Sequence, residues 1–375
     1  MKIVFTGGGS GGHFYPIIAV AEAINDLSDI EKYVDADLYY LADSPYNKRL
    51  LFENHIEYVY VPAGKLRRYA SILNIVDLVK TFFGIFRALF TMYMLFPDVV
   101  FSKGAYPSFP TLLAARVLGI PVIIHDSDTV PGRANIWAGK FAERVALSWP
   151  EAVTHFPKEK TAVVGNPIRK ILLKPLSEGA HEFLKLDRTI PTLLILGGSQ
   201  GAAAINDIVI DAVPQLVNSF QIIHQVGEKN ISAALARAEL VLADHPNKNR
   251  YRAFGYLDDT ALKMSAGAAE LVVSRGGSGI FEIAQWGLPS IIIPITDTHG
   301  DHQRKNAYAY ARTGAAEVIE EKNLAQHIMV SEIQRLMADK GLRQKMGAAA
   351  RAFARPDAAQ KIAHAIVEIA LAHES

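Results

Sequence analysis

The sequence contains no cysteine among its 375 residues. Disulfides, thiolate metal sites, iron–sulfur clusters and a cysteine nucleophile are therefore excluded, and the composition is compatible with a reducing compartment. Net charge is also nearly absent, because 39 lysines and arginines stand against 38 aspartates and glutamates, for a formal charge of +1. This balance excludes a chain-wide electrostatic attraction to nucleic acid, although it leaves room for a local basic patch.

Long hydrophobic runs are missing as well. The start, Met1-Lys2-Ile3-Val4-Phe5, enters a glycine loop after three apolar residues, too few for the core of a signal peptide. Glycine clusters interrupt the long uncharged windows, so none is typical of a membrane span. With 50% hydrophobic and 21% charged residues, the chain is typical of a folded globular protein. We expect a soluble protein that can touch a membrane.

Short β-rich runs alternate with helix-length segments, which predicts an α/β fold with parallel sheets and right-handed crossovers. A strand at residues 3–5 precedes a glycine loop and a helix at 17–27, and this order restarts with a strand at 192–196, a second glycine loop and a helix reaching 217. The other predicted strands are at residues 38–41, 58–61, 98–101, 122–124, 144–147, 221–224, 270–274 and 290–295. Two tandem Rossmann-like, doubly wound domains with a ligand cleft between them follow from this pattern.

The domain boundaries are predicted at residues 1–164 and 165–355. The charged, poorly periodic stretch over residues 165–191 is interpreted as a linker between the two domains. The last segment carries Ile362, Ile366 and Ile369 at helical spacing, so a terminal helix is predicted within residues 356–375.

The first glycine loop, Gly7-Gly8-Gly9-Ser10-Gly11-Gly12-His13, lies between a predicted strand and a predicted helix. Glycine permits close backbone approach, and a helix amino terminus offers N–H donors to a diphosphate. The alternative is a tight turn that needs only small residues. The helix dipole disfavours a cationic imidazole at His13, which keeps a neutral general base available, although a histidine that only caps or packs fits the same position.

A nicotinamide or flavin enzyme is the weaker interpretation of this loop. Gly7, Gly9 and Gly12 satisfy G-x-G-x-x-G, but no acidic residue follows about 20 positions later at a clear strand end, since Asp43 comes later and precedes Ser44-Pro45. A zinc site built from His299, His302 and either Asp297 or Asp301 is a further alternative, but no H-E-x-x-H pattern supports it.

The segment from Lys65 to Phe96 is apolar and basic, with five lysines and arginines against one aspartate. On a helix, the polar or small residues share one face and large apolar residues cover the rest. The shared face comprises Asp77, Lys80, Thr81, Gly84, Arg87 and Thr91. So wide an apolar surface belongs either in a protein core, which is the commoner case, or at an anionic membrane surface.

Taken in order, these motifs resemble the peptidoglycan N-acetylglucosaminyltransferase (MurG) family over nearly the whole chain. The motifs that carry the resemblance are Gly8-Gly9-Ser10-Gly11-Gly12-His13 with Pro16, Lys103-Gly104-Ala105-Tyr106-Pro107-Ser108, His125-Asp126, Gly165-Asn166-Pro167-Ile168-Arg169, Gly197-Gly198-Ser199-Gln200-Gly201-Ala202, Gly287-Leu288-Pro289, Gln303 with Asn306-Ala307, and Pro356-Asp357-Ala358. The resemblance implies the GT-B fold, with an amino-terminal domain for the lipid acceptor, a carboxy-terminal domain for the UDP-sugar, and a last helix that crosses back to the first domain.

The resemblance also implies a reaction and the residues that perform it. The reaction is inverting transfer of N-acetylglucosamine from UDP-N-acetylglucosamine to undecaprenyl-diphospho-N-acetylmuramoyl-pentapeptide, with His13 as the base and no metal or other cofactor. Ser10, Gly11 and Gly12 would approach the donor sugar and diphosphate, and Arg169 and Ser199 would meet the diphosphate. Leu257 would contact uracil through backbone groups, Glu282 the ribose and Gln303 the sugar.

This chain departs from the family pattern at three places. It reads His125-Asp126-Ser127-Asp128 where the family often has His-Glu-Gln-Asn, so Asp128 replaces an amide that meets the sugar. The loop from Arg275 to Glu282, which supplies the candidate Ser278, is one residue shorter than usual. His302 stands where some members have glutamine.

The expected function is therefore the lipid I to lipid II step of peptidoglycan synthesis, at the cytoplasmic face of the membrane. The Lys65–Phe96 segment would bind the membrane surface, and no nucleic-acid partner is expected. Three alternatives are a UDP-N-acetylglucosamine epimerase of the same fold, a nicotinamide oxidoreductase, and a non-catalytic nucleotide-binding partner of wall-synthesis enzymes.

Overall fold

The computed structural model describes residues 1–30, 35–65, 72–198, 202–295 and 299–374. The chain divides into two compact units, the first formed by residues 1–170 with 355–375 and the second by residues 171–354. Elements are numbered in chain order over both units.

The first unit is built on a seven-stranded sheet in the order β3-β2-β1-β4-β5-β6-β7, and every neighbouring pair is parallel. Its strands are β1 Lys2–Thr6, β2 Asp37–Ala42, β3 Ile56–Tyr60, β4 Val99–Ser102, β5 Val122–Asp126, β6 Arg144–Leu147 and β7 Thr161–Val163. Its helices are α1 Gly11–Ile30, α2 Lys48–Glu53, α3 Ile72–Leu95, α4 Phe109–Leu118, α5 Arg133–Ala138 and α14 Ala358–Glu374.

The second unit repeats this plan with a six-stranded parallel sheet in the order β10-β9-β8-β11-β12-β13. Its strands are β8 Thr192–Leu196, β9 Gln221–Gln225, β10 Tyr251–Phe254, β11 Ala269–Ser274, β12 Ser290–Ile292 and β13 Ala316–Val318. Its helices are α6 Ala180–Phe183, α7 Ala203–Leu216, α8 Ile231–Val241, α9 Asp259–Ala268, α10 Gly279–Trp286, α11 His302–Ala311, α12 Gln326–Ala338 and α13 Lys340–Phe353.

Both sheets are buried on their two faces, as parallel sheets with crossover helices must be. In the first unit, Ile3 and Phe5 pack on one side with α1 and α14, including the predicted apolar positions Ile362 and Ile366. Val4 and its neighbours pack on the opposite side with α3 and α4. The predicted α/β class with two doubly wound, Rossmann-like sheets is confirmed.

The strand order reverses between β1 and β4 in the first unit and between β8 and β11 in the second. Ligands of open α/β sheets bind outside the carboxyl ends of the strands at such switch points. Each predicted glycine loop follows the strand at a switch point, because one begins after β1 and the other after β8. The topology therefore places each loop where a binding site is expected.

Two features of the sequence prediction need correction. The strands β7, β10 and β13 were not predicted; each is an edge strand with at most one buried residue, so none has the buried apolar run of the inner strands. The predicted linker over residues 165–191 does contain the boundary between the two units, but it is packed structure rather than a loose connection, since Leu172 and Ala180 are fully buried and the indole N–H of Trp286 donates to the carbonyl of Leu172.

Candidate functional site

The loop after β1 turns directly into α1, which begins at Gly11. The backbone N–H groups of His13 and Phe14 both donate to the carbonyl of Ser10, each at 3.1 Å. The Ser10 hydroxyl lies 2.8 Å from Nδ1 of His13. Ser10 therefore holds both the backbone and the imidazole of the first helical turn, whereas the sequence placed it only beside the donor.

The Ser10 contact determines how His13 could act as a base. If Nδ1–H of His13 donates to Ser10 Oγ, Nε2 carries the lone pair that can accept a proton. The imidazole is half-buried at the positive end of α1, where a cationic ring is disfavoured. The geometry therefore suits a neutral base whose orientation is set by its neighbour.

Glycine is required at position 11 because tyrosines pack against it. A Cβ at Gly11 would lie 2.8 Å from Cε2 of Tyr15 and 3.0 Å from the hydroxyl of Tyr46. Gly9 has a φ of 81°, a left-handed conformation that favours glycine. The loop thus combines backbone freedom with a close approach of aromatic side chains.

A buried polar network lies behind this loop, at the carboxyl ends of β4 and β5. The Nζ of Lys103 is 2.6 Å from Nδ1 of His125 and 2.5 Å from Oγ of Ser127, and Lys103 is only 2% exposed. Ser127 donates to Oδ1 of Asn166, and Nε2 of His125 lies 2.9 Å from the carbonyl of Gly165. The sequence singled out the motifs that contain these residues without assigning any of them this role.

Burial has the largest effect on the pKa values of the side chains in this network. It lowers the pKa of Lys103 to about 8, even though Asp126 and Asp128 oppose the change. Burial, followed by the charge of Lys103, holds the pKa of His125 well below its usual range, so its ring is neutral. Burial and then the charge of Asp128 raise the pKa of the Asp126 carboxyl, which accepts hydrogen bonds from Asn135 and Gly132.

Asp128 and Arg169 complete the predicted set in the first unit. Asp128 is half-buried after β5, and its backbone N–H donates to Oδ1 of Asp126. The guanidinium carbon of Arg169 lies 4.3 Å from the centre of the Tyr15 ring, and the residue is 4% exposed. Tyr15 thus connects Arg169 to Gly11, so the structure brings the predicted residues together at one sheet edge. The set in this unit is Ser10, Gly11, Gly12, His13, Asp128 and Arg169.

In the second unit, the amide of Gln225 connects the glycine loop to Leu257. Its Nε2 donates to the carbonyl of Gly198 at 3.3 Å, and its Oε1 accepts from the backbone N–H of Leu257 at 3.0 Å. Because that N–H is engaged, a uracil contact by Leu257 is left to its carbonyl. Gln225 was not a sequence candidate, and the predicted Ser199 lies outside the described residues.

The remaining candidates surround the carboxyl ends of β11 and β12. Ser278 directly precedes α10, and Glu282 is in its first turn, where the helix dipole favours a carboxylate. Oε1 of Gln303 accepts from the backbone N–H of Ile295 at 3.2 Å. The structure places these three residues and Leu257 at the carboxyl edge of the second sheet.

The Arg275 side chain connects two segments at this edge of the sheet, a role that the sequence did not predict. Its guanidinium donates to the carbonyl of Ile293 at 3.2 Å and to Oε1 of Glu321 at 2.9 Å, with little exposure of either charged side chain. A partly buried guanidinium that donates to a carboxylate with one nitrogen and to a backbone carbonyl with another positions the loop that leads to Ser278.

The nicotinamide and zinc interpretations depend on where the acidic residues and histidines lie. Asp43 directly follows β2, closer to a strand end than the sequence suggested, but its carboxylate accepts a hydrogen bond from the Tyr106 hydroxyl at 3.1 Å. For zinc, Asp297 lies outside the described residues. Within the described ranges, no three or more histidine, aspartate or glutamate side chains lie close enough together to bind a metal ion.

Helix α3 presents its apolar surface to solvent. The rings of Phe82, Phe83, Phe86 and Phe90 are between 57% and 67% exposed. The opposite face packs inward, where a Cβ at Gly84 would overlap the carbonyl oxygen of Pro62. Thr81 on this face accepts from the backbone N–H of Gly64 at 3.0 Å. For these phenylalanines, the core-burial interpretation is wrong.

No helix in the described part of the chain is both long enough and apolar enough to cross a bilayer.

The chain matches two family models in tandem. Residues 3–147 match the glycosyltransferase family 28 N-terminal domain, and residues 192–362 match the glycosyltransferase family 28 C-terminal domain. The two matched segments follow the order of the two sheets along the chain.

Curated relatives align over most of the chain. One from Shouchella clausii is 37% identical over 89% of this chain and 90% of its own length. One from Bacillus thuringiensis is 34% identical over 98% of this chain and 99% of its own length. Both are named UDP-N-acetylglucosamine–N-acetylmuramyl-(pentapeptide) pyrophosphoryl-undecaprenol N-acetylglucosamine transferase, the second with the number 3.

Solved structures give the same fold over the full length. The crystal structure of Acinetobacter baumannii MurG aligns with a TM-score of 0.73 at 26% identity, covering 98% of this chain and 99% of that one. A UDP-GlcNAc 2-epimerase from Neisseria meningitidis, bound to UDP-GlcNAc, aligns with a TM-score of 0.68, covering 98% of this chain and 100% of that one. At 15% identity, the epimerase shares the fold alone.

Proposed function

This chain belongs to glycosyltransferase family 28 and, within it, to the MurG family, and we propose that it transfers N-acetylglucosamine from UDP-N-acetylglucosamine to the 4-hydroxyl of undecaprenyl-diphospho-N-acetylmuramoyl-pentapeptide. This is the lipid I to lipid II step of peptidoglycan synthesis. The observation that carries the chemistry is His13, held by Ser10 at 2.8 Å in the first turn of the helix that follows the glycine loop.

His13 acts as the general base in this reaction. Its Nε2 takes the proton of the acceptor hydroxyl while that oxygen attacks the anomeric carbon of the donor sugar. The bond from the anomeric carbon to the diphosphate oxygen breaks, and UDP leaves from the opposite face with the bonding electron pair. Attack on that side inverts the anomeric configuration. When Nδ1–H of His13 donates to Ser10 Oγ, the imidazole has its lone pair on Nε2.

The leaving diphosphate carries the negative charge that develops in the transition state. Helix amino termini and glycine loops offer backbone N–H donors to such a group without reorganisation. Gly11 and Gly12 supply these donors in the first unit, together with Arg169. In the second unit, we assign Ser199 to the diphosphate, Leu257 to uracil and Glu282 to the ribose hydroxyls. Asp128, Ser278 and Gln303 complete the contacts to the sugar.

The acceptor is linked to a lipid, and we assign membrane contact to α3. Four exposed phenylalanines on one helix are unusual for a surface in water, where large apolar patches mark interaction sites. Lys65, Lys80 and Arg87 are exposed on or near this helix and add attraction to anionic headgroups. The first unit would thus receive its acceptor at the cytoplasmic face of the membrane, while the second holds the nucleotide sugar.

The function is tested by transfer of labelled N-acetylglucosamine from UDP-N-acetylglucosamine to the lipid-linked muramoyl-pentapeptide. Label should enter the organic phase only when both substrates are present. The His13→Ala variant is the catalytic control, and the His55→Ala variant is matched to it because His55 is an exposed histidine of the same unit.

The two alternative functions predict different results in this assay. Conversion of UDP-N-acetylglucosamine without any acceptor would support an epimerase, whose fold this chain shares. Donor binding without turnover would support a non-catalytic nucleotide-binding partner. Either result would overturn the proposed transfer.

A further inference from the structure

Tyr46 has a backbone conformation that its residue type rarely adopts. Its φ is 49°, in the left-handed region that favours glycine and, less strongly, asparagine and aspartate. Strained residues of this kind persist only where surrounding structure enforces them, and they cluster at functional sites. The strained backbone therefore indicates a role for the Tyr46 side chain.

The strain places the phenol beside the glycine loop. The Tyr46 ring centroid is 4.9 Å from that of Phe14 and 5.9 Å from that of Tyr15, both in the first turns of α1. The Tyr46 hydroxyl lies 3.0 Å from the point that a Cβ at Gly11 would occupy. His13 is two positions after Gly11, so the hydroxyl lies at the same helix end as His13.

Packing alone does not account for this arrangement. Tyr46 is 38% exposed, so much of its surface faces solvent rather than the core. A glycine would adopt the same backbone conformation without strain. The strained backbone at this position therefore holds a partly exposed ring whose hydroxyl lies at the glycine loop.

A second tyrosine lies on the other side of the glycine loop. The Cε1 atom of Tyr106 is 3.5 Å from the position of a Cβ at Gly9. The Tyr106 hydroxyl donates to Asp43, which belongs to the same loop after β2 as Tyr46. Two aromatic side chains, from the loops after β2 and β4 on either side of β1, thus border the loop that carries the base.

We propose that Tyr46 is an acceptor-contacting residue that binds the carbohydrate part of the acceptor beside His13. A general base must come within about 3 Å of the hydroxyl it deprotonates, so the sugar that bears this hydroxyl has to lie at the end of α1. A pyranose presents C–H groups that pack on an aromatic face and hydroxyls that bond to a phenol. The proposal rests on the proposed function, since that function supplies the sugar acceptor.

The test uses Tyr46→Gly and Tyr46→Phe with steady-state kinetics for both substrates. Tyr46→Gly removes the side chain and relieves the backbone strain. We expect its KM for the acceptor to rise about tenfold, its KM for UDP-N-acetylglucosamine to stay within about twofold, and its Tm to stay close to that of the wild type. Tyr46→Phe keeps the ring and should raise the acceptor KM by about threefold.

His55→Gly is the matched control. His55 has a φ of 56° and is exposed in the same unit, in the turn between α2 and β3, so the substitution relieves similar strain away from the loop. It should leave both KM values unchanged. An unchanged acceptor KM in both Tyr46 variants would overturn the proposal, as would a rise confined to the donor KM. If Tyr46→Gly fails to fold, Tyr46→Phe decides alone.

Failure of the proposed function is read separately, from the wild-type protein. A wild type that transfers no label to the lipid-linked acceptor would refute the transfer reaction and the Tyr46 assignment with it. A wild type that transfers normally, with Tyr46 variants of unchanged acceptor KM, would refute the Tyr46 assignment alone.

Discussion

The ammonium of Lys103 lies 2.6 Å from Nδ1 of His125, and both side chains are buried beneath the loops of the first unit. Because Nε2–H of His125 donates to the carbonyl of Gly165, Nδ1 is the nitrogen that accepts from Lys103. A buried charge next to a neutral acceptor makes the stability of this unit depend on pH.

Because of Lys103, the free energy of unfolding should rise as the pH increases above 8. Its pKa is lowered to about 8 in the folded state from 10.5, so between these values the unfolded chain binds more protons than the folded one. The unfolding free energy of the wild type should therefore rise relative to that of Lys103→Met, by about 2 kcal/mol between pH 8 and 9.5. Urea unfolding at each pH measures the difference.

Lys345→Met, which removes an exposed lysine of α13, provides the control and should track the wild type at every pH. A difference between the wild type and Lys103→Met that stays flat or shrinks with rising pH would contradict this account of Lys103.

His13 and Ser10 should contribute unequally to turnover. His13→Ala removes the base, and kcat should fall by about 10²–10⁴ while the affinity for UDP-N-acetylglucosamine stays nearly intact. Ser10→Ala leaves the imidazole in place but removes its partner at 2.8 Å, so a smaller loss, about tenfold, is expected. Steady-state kinetics and calorimetric donor binding separate the two effects. Near-normal turnover in His13→Ala would remove it from the base role.

Helix α3 should bind anionic membranes. Replacing Phe82 and Phe86 together by serine removes two exposed rings, so binding to phosphatidylglycerol vesicles should weaken at least tenfold. Binding by the wild type should itself weaken with added salt. Vesicle cosedimentation measures both effects.

Phe52→Ser is the matched control, because Phe52 is 84% exposed in the same unit but lies on α2. It should leave vesicle binding unchanged. Equal binding by the α3 variant and the wild type would exclude this face as the membrane contact.

His224 should make the second unit sensitive to acid. It is fully buried between the Tyr251 hydroxyl and Oδ1 of Asn206, and burial lowers its pKa to about 3. Below pH 6.5 the unfolded chain takes up a proton that the folded chain does not, so stability falls with pH by up to about 1.4 kcal/mol per unit.

The His224→Gln variant should lose that part of the pH dependence between pH 6.5 and 4.5, whereas His327→Gln, at an exposed position of the same unit, should keep it. Unfolding curves for the three proteins test this, and identical slopes would argue against a buried neutral His224.

Much of the architecture was predictable because it is local in sequence. A strand, a glycine loop and a helix are contiguous residues, and the pattern that occurs after β1 recurs after β8. The apolar spacing of Ile362 and Ile366 predicted a helix face that the structure buries. By contrast, β7 and β13 are edge strands without a run of buried apolar residues, and their pairing in the sheet is what defines them.

The sequence by itself determined the two-sheet α/β fold, the glycine loops, His13 at a helix start and the family, because each depends on neighbouring residues or on an ordered series of motifs. Only the tertiary structure decided which face of α3 points outward, since the close approach of Pro62 to Gly84 is not local. It also decided that Tyr46 lies against Gly11 and that Lys103 meets His125. The members of each pair lie in or after different strands and far apart in sequence, and only the folded sheet brings them together.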